Sequence, residues 1–199
     1  MPSSWGIQLL QKYVKREGQS KRLAVLFPGQ NYSCELPLLH YAGKTALQSG
    51  YDIVLLEYGH QAARTSLDIQ SLTRLIEESY QSIQHLLPQY EHVVFVSKSL
   101  GTVVAGEVHK MLQREIRHIF LTPLERTIPY LNTYDRIVIY GDKDEWFNWD
   151  AAEQMEDNRG VYVIPKANHG LETGDVEEHL GILSFVVQRY KEFFIRDSY

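Results

Sequence analysis

The chain has 199 residues, 44% hydrophobic and 23% charged, the balance of one globular domain able to bury a core rather than of a disordered chain. Its net charge of −5, with Lys21-Arg22 a pair rather than part of a basic stripe, argues against nucleic acid as a partner. No apolar run approaches a membrane span, the opening MPSSWGIQLLQKYVKREG lacks the basic start and apolar centre of a signal peptide, and the lone Cys34 allows no internal disulfide, so a cytoplasmic protein with no membrane partner is expected.

In residues 1–20, Trp5, Leu9, Leu10, Tyr13 and Val14 suit an amphipathic helix, and a short edge strand fits the same span. The first apolar run, RLAVLF (22–27), leads into FPGQNYSCELPLL, where Pro28-Gly29 predicts a tight turn and a helical pattern begins near Pro37. Cys34 follows that turn without a marked partner and reads as a small packed side chain. After the second run, DIVLLE (52–57), the spacing of Leu72, Leu75, Ile76, Ile83, Leu86 and Leu87 predicts a helix within 67–87, stopped by Pro88. The third run, HVVFV (92–96), breaks into SKSLGT, and Val104, Val108, Met111 and Leu112 continue as a helix. The fourth, RHIFL (117–121), is followed by only fourteen residues, TPLERTIPYLNTYD, room for one short helix or a folded loop. The fifth, RIVIY (136–140), opens into GDKDEWFNW, with Asp150 placed to cap AAEQM. The sixth, VYVI (161–164), opens into PKANHGLE, and Val176, Leu180, Leu183, Val187, Tyr190 and Phe194 mark a last helix expected to cover the sheet.

Most of the six runs lack polar alternation, as strands buried on both faces do. Their alternation with helical patterns predicts an α/β fold: a doubly wound, mostly parallel six-stranded sheet flanked by helices, a single domain over residues 1–199. Ligands in such sheets bind beyond the carboxyl ends of the strands, so functional residues belong just after each run.

Three of those segments carry chemistry. Ser99 lies between Ser97 and Gly101, small residues at minus two and plus two, the pattern of a nucleophile on a sharp strand-to-helix turn. Asp142, Asp144 and Glu145 follow the fifth run, and His169 follows the sixth. Among the other histidines, His85, His109 and His118 fall inside helix or strand patterns and read as surface or packing residues. Serine, then an aspartate, then His169 is the chain order of a Ser-Asp-His triad on this kind of sheet. The sequence has no His-Glu-x-x-His or Cys-x-x-Cys spacing and no Gly-Lys-Ser/Thr phosphate loop, so no metal and no cofactor is expected.

With these residues in place, the sequence from about residue 22 onward resembles the α/β-hydrolase superfamily, in a minimal single-domain form similar to dienelactone-hydrolase-like and small esterase members. The resemblance implies Ser99 as nucleophile, His169 as base and, from the GDKD pattern, Asp144 rather than Asp142 as acid, with Glu125 in reserve. It implies an oxyanion hole from the backbone N–H groups of Leu100 and Gln30. Two departures stand out: Ser97 replaces the usual glycine, and Pro28-Gly29 replaces the usual His-Gly. The implied function is a serine hydrolase cleaving a carboxylic ester, thioester or similar acyl group of a small-molecule substrate through an acyl-enzyme. The alternatives are a non-catalytic binding module on the same fold, favoured by the altered oxyanion loop, and an acyltransferase. Tyr32, Tyr58, His60, Trp146 and Phe147 are expected near an open pocket without a large cap.

Overall fold

All six apolar runs form parallel strands in the computed structural model, which describes residues 1–67, 71–147 and 149–196. They are β2 (Arg22–Phe27), β3 (Asp52–Leu55), β4 (His92–Lys98), β5 (Arg117–Leu121), β6 (Arg136–Gly141) and β7 (Val161–Ile164). A seventh strand, β1 (Lys12–Val14), pairs antiparallel with Ile53–Leu55 at the edge, giving the order β1-β3-β2-β4-β5-β6-β7. The ambiguous amino-terminal segment is therefore an edge strand preceded by a turn. Gly6 takes φ 73°, which interrupts any helix there, and the buried carboxylate of Glu78 accepts hydrogen bonds from Ser3 and Ser4. The chain winds from β2 outward to β3, then crosses back to β4 on the other side of β2, so the order reverses between β2 and β4. That reversal opens a crevice at the carboxyl ends of these two strands.

Alternate residues of each strand face opposite layers, and both layers are apolar. Ala24, Leu26, Val94, Val96, Ile119 and Ile139 pack under α1 (Pro37–Gln48) and the last helix, whose Val186, Tyr190, Phe193 and Phe194 are fully buried. Leu23, Val25, Phe27, Val93 and Phe95 pack on the other face under two further helices. Numbered in chain order, the remaining helices are α2 (Gly59–Ala62), α3 (Leu72–Ile83), α4 (Leu100–Leu112), α5 (Ile128–Leu131), α6 (Trp149–Ala152) and the last helix, α7 (Val176–Ile195). Burying each such Leu, Val or Phe contributes roughly 1.5–3 kcal/mol, which explains why the central positions of β2, β4, β5 and β6 are apolar, with exposed polar residues confined to strand starts and the edge, such as His92 and Lys12.

Three local expectations change. The helix predicted within 67–87 begins only at Leu72, and residues 68–70 of that span lie outside the described residues. Asp150 stands inside the first turn of α6 rather than at its cap. The first turns of α7 do not cover the sheet, and the packed part begins at Ile182: Val176 and Leu180 are exposed, while Asp175 caps the helix by accepting from the Glu178 N–H at 2.9 Å. Between β5 and β6 a 3-10 turn (Glu125–Thr127) and the four-residue α5 fill the short connection. No helix among the described residues is long and apolar enough to cross a membrane.

At the amino-terminal end of the sheet, His118 is wholly buried, stacked between Phe120 at 4.7 Å and Tyr134 at 5.1 Å. The His109 Nε2–H donates to the Arg114 carbonyl at 2.9 Å, which leaves Nδ1 to accept from the His118 Nε2–H at 2.8 Å. This arrangement requires a neutral His109 ring, and the buried His118 Nδ1 has no acceptor among the described residues to hold a second proton. Burial lowers the pKa of each, His118 strongly, with His109 adding to the effect on His118. A histidine depressed in the fold leaves stability complete above the unfolded value of about 6.5 and eroding as pH falls below it, because the unfolded chain takes up protons the fold refuses. Calorimetry should therefore show Tm falling between pH 7.5 and 5.5, with a shallower fall in the His109→Gln, His118→Phe double variant. An unchanged slope in that variant would show that other groups set the acid limit.

Candidate active site

β4 ends at Lys98 and α4 begins at Leu100, so the direction change falls on Ser99 alone. Ser99 has φ 54° and ψ −121°, a region that costs a non-glycine residue of order 1–3 kcal/mol. Neighbours fix it there. Its N–H donates to the Leu121 carbonyl at 3.0 Å, and its own carbonyl accepts from the N–H and Oγ1 of Thr102 at 2.9 and 2.6 Å. Small flanking residues are a spatial necessity. Ser97 is buried, and a Cβ at Gly101 would stand 2.5 Å from the carbonyl oxygens of both Phe27 and Pro28.

The two other predicted side chains arrive from neighbouring strand ends. Beyond β6 the chain turns at Gly141, where the Asp144 N–H donates to the Gly141 carbonyl at 3.1 Å. The Asp144 side chain has no solvent exposure, and its Oδ1 accepts from the N–H groups of Trp146 at 2.8 Å and Phe147 at 3.3 Å. Beyond β7, His169 projects Nδ1 to 2.8 Å from both Asp144 oxygens and Nε2 to 2.8 Å from Ser99 Oγ. An ionised carboxylate only accepts, so Nδ1 carries the proton and the Nε2 lone pair faces the serine hydroxyl. Asp142 does something else: its Oδ1 accepts from the Lys166 N–H at 2.7 Å, bracing the β6 turn against the β7 loop. Two more bonds cross the same gap, Asp142 N–H to Ile164 O at 3.1 Å and Lys143 N–H to Ala167 O at 3.0 Å. Gly141 admits this approach, since a Cβ there would lie 1.9 Å from Ala167 O. Glu125 is exposed in the 3-10 turn and makes no bond to His169. In the histidine loop the left-handed residues are Lys166, Leu171 and Gly174.

On the far side of Ser99, Pro28-Gly29-Gln30 leaves β2. Among the described residues neither the Gln30 nor the Leu100 N–H is spent on a protein acceptor, and both residues line the cavity beside Ser99. Gln61, from α2, was not singled out by sequence, yet its side-chain NH₂ donates to Gly29 O at 2.8 Å and Gln30 O at 3.2 Å. In a trans peptide the Gly29 carbonyl and the Gln30 N–H point in opposite directions, so this grip orients the amide. His60 reaches the same Gln30 carbonyl at 3.4 Å. A glutamine in a loop carries no sequence signal for such a task.

The cavity, about 340 Å³, is walled by Gln30, Tyr32, Leu124, Trp146, His169 and Gly170. Trp146 is 66% exposed and its ring centre lies 6.4 Å from that of His169. Tyr58 and Phe147, expected to line the site, do not. Tyr58 is 2% exposed in the layer under α3, and Phe147 is fully buried, packed edge-on against Tyr140. Large aromatic side chains turn inward where a core is available, and sequence position after a strand does not tell which way they turn. Cys34 is buried, its thiol donates to the Leu56 carbonyl at 3.3 Å, and burial pushes its pKa up, away from thiolate chemistry. A larger depression, about 860 Å³, lies at the opposite strand ends around His109, Arg114 and Tyr134, remote from the converging Ser99, His169 and Asp144.

No protein-family model matches the sequence, and no curated protein sequence does. Solved structures do share the fold. Est1E from Butyrivibrio proteoclasticus, with ferulic acid bound, is similar at 14% identity and a TM-score of 0.73, over 96% of this chain and 95% of that one. A serine hydrolase without a lid from Xanthomonas campestris is similar at 14% identity and 0.59, over 95% and 92%. An esterase from Pyrococcus furiosus is similar at 12% identity and 0.62, over 96% and 95%. The chain has the α/β-hydrolase fold, with seven strands among the described residues rather than the six expected.

Gly101 offers a direct check on the turn geometry. Gly101→Ala should destabilise the protein by roughly 1–3 kcal/mol in denaturant titration, because the added methyl has rigid backbone on its far side. The same substitution at Gly181, where a Cβ meets nothing within 4 Å, should be neutral or slightly stabilising.

Proposed function

We propose that the protein is a serine hydrolase acting on short-chain carboxylic esters or similarly activated acyl compounds. The observation that carries this reading is the unbroken line of hydrogen bonds from Ser99 Oγ through His169 to Asp144, with the serine on a strained turn. His169 Nε2 takes the hydroxyl proton as Ser99 Oγ bonds to the acyl carbon. Asp144 holds the ring in the required tautomer and stabilises the imidazolium that forms. The carbonyl oxygen gains the negative charge, and the unspent amides of Gln30 and Leu100, with the amino end of α4 behind them, are the donors for it. The imidazolium then returns its proton to the departing alkoxide. Water repeats the sequence in reverse on the acyl-enzyme, giving acid and free serine.

The amides left unspent by Pro28-Gly29 support catalysis over simple binding. The pocket supports the substrate class: it is small and open, and the segment between β5 and β6 supplies no helical cap. A long acyl chain would find little apolar wall beyond Tyr32, Leu124 and Trp146.

A fluorophosphonate probe should label Ser99, and Ser99→Ala should abolish labelling; reaction at Ser97, or none in folded protein, would sink the proposal. Asp144→Asn should lower kcat by roughly 10⁴-fold through loss of the tautomer, whereas Asp142→Asn should leave most activity. Across p-nitrophenyl esters, kcat/KM should be at least as high for acetate and butyrate as for decanoate, and a steep rise with chain length would refute the short-acyl assignment.

A further inference from the structure

Lys98, the residue before the serine, is a charged side chain at the end of a strand buried along nearly its whole length. It is only 3% exposed, and no carboxylate among the described residues pairs with it. Isolating an ammonium this way is costly, and a methionine would fill similar volume without that cost. The contacts that Lys98 makes are therefore informative. Nζ donates to the backbone carbonyl of His169 at 3.0 Å. The same ammonium lies 4.9 Å over the centre of the Tyr32 ring. Tyr32 is itself anchored, its hydroxyl accepting from the Leu38 N–H at 2.9 Å in the first turn of α1, and its backbone carbonyl accepts from the Gly29 N–H at 2.9 Å.

We propose that Lys98 is a positioning residue that fastens the His169 loop to the oxyanion loop, so that the imidazole and the amide of Gln30 keep a fixed distance across Ser99. This rests on the hydrolase reading of the site. One side chain rooted beside the serine grips the histidine at its backbone and the oxyanion loop through the face of Tyr32. Both grips depend on charge: a charge-assisted hydrogen bond and a cation–π contact weaken when the ammonium loses its proton. Burial lowers the Lys98 pKa to about 8, against the pull of Asp144 and Glu172. The other titratable group it touches through its side chain, Tyr32, is pushed up to about 12 and stays neutral in this range. Lys98 is thus cationic below about pH 8, and the fastening loosens as pH rises through that value.

The test compares wild type, Lys98→Met and Lys98→Arg on p-nitrophenyl acetate from pH 6 to 10, with Tm measured alongside. Lys98→Met should lose about 10- to 100-fold in kcat with KM within about threefold, as expected for a small misplacement of reacting groups. The fall in wild-type kcat above pH 8 should be missing in Lys98→Met and displaced upward in Lys98→Arg. A Lys98→Met enzyme with wild-type kcat and the same alkaline fall would overturn the proposal, as would a loss in both variants that tracks Tm with no change in pH profile. Fluorophosphonate labelling of the wild type separates this from the parent reading. If wild type is not labelled, the hydrolase reading fails, and the downfield NMR resonance of the His169 Nδ1 proton decides Lys98 alone: unchanged in folded Lys98→Met, it overturns the fastening; broadened or lost, it upholds it.

Discussion

The contact between Gly101 and the carbonyls of Phe27 and Pro28 lets the β4–α4 turn nest against the end of β2, and every other distance in the site is set from there. Because β2 and β4 are neighbours on opposite sides of the topological reversal, this is also where the sheet opens its crevice. The strain at Ser99 survives because the surroundings over-determine it: three hydrogen bonds to its own backbone and a glycine two residues on where any Cβ would press against rigid backbone. The hydroxyl is thereby lifted out of the strand line and presented to His169 without rearrangement.

Around that turn the protein keeps polar groups in states that a purely structural region would avoid. Among the described residues, two backbone amides beside the cavity make no hydrogen bond, a buried ammonium forms no ion pair, and a carboxylate with no exposure bonds to a histidine. Other buried polar groups divide: Glu78 is satisfied by the two amino-terminal serines and Arg136 by the carbonyls of Leu131 and Asp157, whereas Tyr58 Oη, His118 Nδ1 and Thr122 Oγ1 have no hydrogen-bond partner among the described residues.

Much of the fold was legible because burial on both faces removes polar alternation, so RLAVLF, HVVFV and RIVIY could hardly be read otherwise. The positions of Ser99, Asp144 and His169 were legible because a strand followed by a turn leaves few places for a side chain to emerge. Choosing Asp144 over Asp142 needed the family resemblance; in the fold Asp144 lies against His169 while Asp142 is engaged by the Lys166 amide. The direction of individual side chains was not legible. Tyr58 and Phe147 sit in loops near the site yet turn into buried apolar clusters, whereas Tyr32 and Trp146 line the cavity. Residues 12–14 were too few to show a period, and their strand character comes from pairing with β3 rather than from their own pattern. Gln61 was invisible because its role is defined by carbonyls thirty residues away in sequence.

The bracing between the β6 turn and the β7 loop has a consequence for how this molecule can vary. Asp142, Lys143 and Gly141 on one side meet Ile164, Lys166 and Ala167 on the other, residue against residue, so the two segments are spliced at a fixed count. A codon gained or lost in either would slide Asp144 past His169 by a full residue, about 3.3 Å, and no side-chain adjustment of that size is available to a buried carboxylate. Drift in length is thereby channelled into the connection between β5 and β6, which reaches the rim of the pocket at Leu124 without carrying either partner of the serine. Relatives that differ in what they admit to the cavity would be expected to differ in length there, while the acid and histidine segments keep step with each other.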